Sequence, residues 1–187
     1  MVSIGALWMP ILLSAVGVFL VSSVVHMVLP FHRTDYTGLE KETEILDALR
    51  GHGLPPGEYM FPHADSMQEA QTPEMIEKFN QGPVGIMTVW PNGMMNMGKA
   101  LGLWFGLTVV LSFVAGYCAS MAFGTDASGM DVFRMTFVVA FVAYGTNSAH
   151  NSIWKGQRWS VAGKFLFDGL LYATTTGALF AWLWPSA

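Results

Sequence analysis

The stretch IGALWMPILLSAVGVFLVSSVVHMVL, Ile4 to Leu29, runs twenty-six residues without an Asp, Glu, Lys or Arg. At about 1.5 Å of rise per residue, a helix of this length exceeds the ~30 Å hydrocarbon core of a bilayer. A second uncharged run covers Ala100 to Phe123, and two further apolar segments follow, Val132 to Ala149 and Val161 to Trp184. Working outward from the first stretch, the expected fold is an all-α membrane bundle of four transmembrane helices, at residues 4–29, 100–123, 132–150 and 161–184. A small α+β extramembrane module, residues 30–99, is inserted between spans one and two. Residues 100–187 then hold spans two to four.

Composition agrees with that class. The chain is 52% hydrophobic and 12% charged with a mean hydropathy of +0.42, against about 25% charged residues in an ordinary soluble domain. The apolar start does not read as a cleaved signal. No Lys or Arg precedes it, the run far exceeds a signal core of about 7–15 residues, and no small-x-small site follows, so a retained first span is expected. Cys118 is the only cysteine, which excludes a disulfide framework and a thiolate metal cage.

Basic residues set the expected orientation. With four spans, Arg33, Lys41, Arg50, Lys78, Lys99, Lys155, Arg158 and Lys164 lie on or near one face and Arg134 alone on the other. The positive-inside rule places residues 30–99 in the cytoplasm and both termini outside, in a multi-pass protein of a bacterial inner membrane. The inserted module is acidic, so nucleic acid is not an expected partner. The lipid bilayer and other membrane subunits are.

Within the module, Thr37 is expected to cap a helix over about Gly38 to Arg50, with Gly51 as its stop. Glu58 to Phe61 reads as a short strand, and Thr72-Pro73-Glu74 opens a second helix with Thr72 as cap and Pro73 at the first helical position. Val84 to Trp90 is β-rich and is expected to pair antiparallel with the first strand.

The chemistry-bearing residues are few. Tyr144, Asn147, Ser148, His150 and Asn151 cluster at the end of span three, and Asp168 lies eight residues into span four. A short turn between antiparallel spans brings Asp168 to the depth of Tyr144 and Asn147. An intramembrane carboxylate costs ~2.5–3.5 kcal/mol and turns inward. Lys164, four residues before it, is expected to neutralise it, and the cluster reads as a structural polar network or, alternatively, as a proton or ligand site. His26, His32, His52 and His63 are the metal-ligand candidates, but they lack helical or finger spacing, and His26 and His32 are separated by Pro30. No metal and no cofactor is expected on that pattern. Met60, Met67, Met75, Met87, Met94, Met95 and Met97 offer thioethers to copper(I), yet apolar gap-filling accounts for them as well. Gly102-x-x-x-Gly106 is a helix-packing motif.

The run His26-Met-Val-Leu-Pro-Phe-His32 with Asp35-Tyr36, the later Ala48-Leu49-Arg50 and Gly57-Glu58-Tyr59, then Gln81-Gly-Pro-Val-Gly85, Asn96-Met-Gly-Lys99, Asn151-Ser-Ile-Trp154 and Phe167-Asp168-Gly169, is similar to a family of small four-span bacterial inner-membrane proteins of unassigned function. The resemblance implies a bacterial four-helix membrane protein with an inserted loop module. It implies no catalytic, binding or cofactor residue. The expected function is therefore a non-catalytic accessory or scaffold subunit of a larger membrane complex, such as an energy-converting one. The alternative is a small transporter or membrane enzyme using Asp168 with Tyr144, Asn147 and His150.

Overall fold

The computed structural model describes residues 1–186. The chain divides into two compact units: a helical one from residues 1–36 and 95–186, and an inserted one, Thr37–Met94.

The helical unit begins with one tight turn, Ile4–Leu7, that leads into α1, Trp8–Ser23. Pro10 sits in the first turn of α1, where its missing N–H has no intrahelical partner to lose. The helix continues through Val24–Val28 in a wider turn, closed by the Leu29 N–H on the Val24 carbonyl at 3.1 Å. Leu29 is extended, as a residue before proline prefers, and Pro30–His32 forms one further tight turn.

In the inserted unit, α2 covers Glu42–Gly51, β1 Gly57–Phe61, α3 Met67–Ala70, α4 Pro73–Gln81 and β2 Gly85–Val89. The two strands pair antiparallel with Tyr59 opposite Met87, the pairing expected from the sequence. Thr72 caps α4 by accepting the Met75 N–H, with Pro73 as first helical residue. Thr37 caps nothing. The first helix starts at Glu42 behind Lys41, whose φ of 55° lies in the left-handed region and delays the helix by four residues.

The chain then enters α5, Met97–Ala122, capped by Asn96, and α6, Gly129–Gly145, capped by Ser128. After a break at Thr146 come α7, Asn147–Trp154, and α8, Trp159–Leu183. The expected third span, 132–150, is thus split. It starts three residues earlier because Ser128 caps it, and it stops at Gly145, leaving 17 residues or about 25 Å. Among the described residues, two helices are long and apolar enough to cross a membrane, Ile4–Val28 and Met97–Ala122.

α1 packs on α5 and α8, and α6 packs on α5 and α8. The interior is lined by small polar side chains: Ser14, Thr108, Ser112, Thr136 and Thr176 are all buried. Outward positions are apolar on all four helices, among them Leu20, Leu103, Val110, Val138, Val142 and Leu170. At one end Val2, Leu7, Ile11, Val132 and Phe180 make an apolar plug, tied by the Trp184 indole N–H to the Gly124 carbonyl at 3.0 Å.

Glycine makes the closest approach, but not at the expected positions. No described atom lies within 4 Å of a Cβ built on Gly102 or Gly106, so neither packs against another of the described helices. The close crossing is between α6 and α8, where a Cβ on Gly169 would stand 2.6 Å from the Gly145 Cα. Gly102 and Gly106 lie on an exposed face of α5, which is why their spacing finds no partner here.

Candidate functional site

The wide turn at the end of α1 and the proline turn after it carry the two residues that matter most. Helical turns with one extra residue re-aim side chains and occur often at functional positions. Here His26 lies in the wide turn and His32 at the end of the Pro30 turn, and the chain reversal between them stacks their rings, with centroids 4.2 Å apart. Both rings face α8. His32 Nε2 is 3.0 Å from Asp168 Oδ2, and His26 Nε2 is 3.5 Å from the same oxygen. Asp168 is 1% exposed. Two histidines and a carboxylate therefore converge, with one ligand atom of each within 4.8 Å of the others. His52 and His63 lie in the inserted unit, both exposed, and belong to no such group among the described residues.

Behind His32 stands Asp35, whose Oδ2 lies 2.6 Å from His32 Nδ1. Lys164 does not pair with Asp168, contrary to its i,i+4 spacing. Its ammonium donates to Asp35 Oδ1 at 2.6 Å, to the Phe31 carbonyl at 2.8 Å and to Thr34 Oγ1 at 3.0 Å. An ammonium has three donors, and the Phe31–Asp35 segment supplies three acceptors; Asp168 would supply fewer. Arg158 adds two more bonds, to the Thr34 and Asp35 carbonyls at 2.7 and 3.0 Å. This segment thus belongs to the helical unit and not, as expected, to the inserted module.

Burial acts on Asp35 to raise its carboxyl, but the bonds from Lys164 and His32 and their charges outweigh it and hold the group below the ordinary carboxylate value. An ionised Asp35 accepts the proton of His32 Nδ1. The other ring nitrogen, Nε2, faces Asp168. The 3.0 Å approach falls outside hydrogen-bond geometry, and neither His32 Nε2 nor either Asp168 oxygen has a hydrogen-bond partner among the described residues. A buried carboxylate with no donor is an expensive arrangement, and such orphans call for a proton, an ion or a ligand.

Asp168 and His26 also form part of the wall of a cavity of about 440 Å³ between the four long helices. Ser22 and Ser23 of α1, Leu101, Trp104, Leu107 and Leu111 of α5, Ala143 and Tyr144 of α6 and Tyr172 of α8 complete most of it. Trp104, Tyr144 and Tyr172 contact one another at ring separations of 5.5–6.1 Å. The Trp104 N–H is taken by Ser22 Oγ at 2.8 Å, while the hydroxyls of Tyr144 and Tyr172 are buried without partners.

Of the polar cluster expected at the end of span three, Tyr144 and Asn147 line the cavity with Asp168. His150 is exposed, and neither it nor Asn151 reaches the cavity wall. Ser148 ties α7 to the Ala162 carbonyl of α8 at 3.3 Å. His26 and His32 were named in the sequence as candidates but not with Asp168, and Asp35, Trp104 and Tyr172 carried no site signal there. The Asp-after-His spacing of His32 and Asp35 was the signal available, an i,i+3 pair. A search of protein-family models, of curated proteins and of solved structures finds no match for this chain.

Proposed function

We propose that this is a four-span membrane protein that binds a small amphipathic molecule in the cavity above Asp168 and acts on, or carries, its polar head. The observation that carries the reading is a cavity of about 440 Å³ ending at a carboxylate that is buried and without a hydrogen-bond partner. Ligand sites are concave and mostly apolar with a few convergent polar groups. Leu107, Leu111 and Trp104 offer an apolar wall for the body of such a molecule, and Asp168, Tyr144 and Tyr172 offer one acceptor and two donors to its head. Among the two expected functions, this favours the transporter or membrane enzyme over the inert scaffold.

Four spans are supported by the inverted surface, apolar outside and hydroxyl-rich inside, on α6 and α8 as well as on α1 and α5. In that arrangement the basic residues still favour a cytoplasmic inserted module and outside termini in a bacterial inner membrane. Reporter fusions within Glu69 to Pro73 and after Ala187 are expected to give cytoplasmic and external signals respectively. A cytoplasmic signal at the C-terminus overturns this topology.

For the cavity, native mass spectrometry of protein released from its own membranes is expected to show one small molecule per chain. Ser23→Trp, which fills the cavity from α1, and Asp168→Asn are each expected to remove it with helix content unchanged. Protein that carries nothing, or variants that retain the same molecule, overturn the reading.

The accessory-subunit reading rests on a different observation, the unpartnered Gly102–Gly106 face of α5. A stoichiometric membrane partner lost on Gly106→Leu would carry it.

A further inference from the structure

We infer that His26, His32 and Asp168 bind a divalent first-row transition ion, with Asp35 positioning His32 from behind. The inference builds on the reading of the Asp168 cavity as the working site and adds what sits at its polar end.

Four observations converge on it. The first is the donor set: two imidazole nitrogens and a carboxylate are borderline ligands that suit zinc or ferrous iron. The second is spacing. Metal–ligand bonds of about 2.0–2.2 Å put tetrahedral ligand atoms roughly 3.3 Å apart, and the two nitrogens stand 3.0 and 3.5 Å from Asp168 Oδ2. The third is the missing partner. His32 Nε2 and Asp168 Oδ2 stand 3.0 Å apart, yet neither has a hydrogen-bond partner among the described residues. A cation bound by both supplies each with a partner. The fourth is the contact behind His32. Histidines that hold metals almost always donate their other ring N–H to a carboxylate or carbonyl, which fixes the tautomer and the ring plane. Asp35 Oδ2 is placed to accept from His32 Nδ1 in this way at 2.6 Å, and the carboxylate also accepts from Lys164.

Three protein ligands leave a position open. His26 and Asp168 are on the cavity wall, so that position faces the cavity and is available to water or to a polar head group. This is the arrangement of a working metal rather than a structural one, since structural zinc takes four protein ligands. Cys118 does not belong to the group, and the exposed His63–Asp65 pair lacks a third ligand among the described residues.

The test is retention of metal by the full, tag-free chain in mild detergent. After chelator treatment the protein is titrated with Zn²⁺ and, separately, with Co²⁺, then passed through gel filtration and analysed by mass spectrometry for metal. About one equivalent is expected to remain, with visible ligand-field absorption for Co²⁺. Asp168→Asn and His32→Ala are expected to lose it. Asp35→Asn, which removes no ligand, is expected to weaken binding by about 10–100-fold. His26→Ala serves where buried variants fail to fold, because the His26 side chain is 37% exposed, and it is also expected to lose retention. His52→Ala and His63→Ala are expected to leave retention unchanged. Folded wild-type protein that retains neither ion, or retention indifferent to both His26→Ala and Asp168→Asn, overturns the inference. The cavity reading is judged separately, by its small molecule: protein that carries the molecule but no metal overturns the metal site alone.

Discussion

Gly169→Val is expected to cost the helical unit about 3 kcal/mol or more, read as a loss of thermal stability in detergent and of the monodisperse gel-filtration peak. Overpacking a closely packed contact typically costs ~1–3 kcal/mol when side chains can yield. Here they cannot: a Cβ at Gly169 meets the Gly145 Cα at 2.6 Å and the Gly145 nitrogen at 2.8 Å, both backbone atoms. The helices α6 and α8 must move apart along their whole crossing, and Asp168, the preceding residue, moves with them. Gly102→Val is the contrast, because nothing stands within 4 Å of a Cβ there. It is expected to leave monomer stability within about 1 kcal/mol of wild type. Equal losses in the two variants would remove the argument from close packing.

Lys164→Met is expected to lower stability by about 2–3 kcal/mol. Methionine keeps much of the aliphatic stem but loses all three donated bonds, and the Asp35 side chain, 5% exposed, is left without its cation. Hydrogen bonds to charged groups are worth ~1.5–3 kcal/mol, and breaking a buried pair by removing one partner costs more than the pair adds. The same pair predicts a pH dependence. The folded carboxyl of Asp35 is held below its unfolded value, so its contribution is complete above about pH 4 and is lost as pH falls through the folded value. Thermal stability of the wild type is therefore expected to fall from about pH 4 downward more steeply than that of Asp35→Asn. An unchanged melting temperature in Lys164→Met, or parallel pH profiles, would refute the pairing.

Legibility in the sequence followed the range of the interaction. The two longest apolar helices, the Thr72 cap with Pro73 behind it and the antiparallel pairing of β1 with β2 rest on neighbours or on strong periodicity, and were readable. The Asp35 partner of Lys164 was not. The i,i+4 carboxylate is visible on any helix, whereas the residue that wins lies 129 positions away in sequence. His26 and His32 looked unrelated because a proline stands between them, and no periodicity announces a wide turn followed by an extended Leu29. Small-residue spacing misled in the same way: Gly102 and Gly106 fit a motif, while Gly145 and Gly169, on different helices, make the contact.

The wide turn at Val24–Val28 also bears on how the molecule is made. Its histidine, and the one beyond Pro30, emerge from the ribosome with the first helix, and the carboxylate they face arrives only with the last. A nascent chain thus carries both histidines through the synthesis of everything between, and Asp168 joins them only when α8 is made. Closing so distant a contact is slow in ordinary folding. A chain that stops short of α8 therefore leaves His26, His32 and Asp35 without Asp168 and Lys164, the partners that α8 brings.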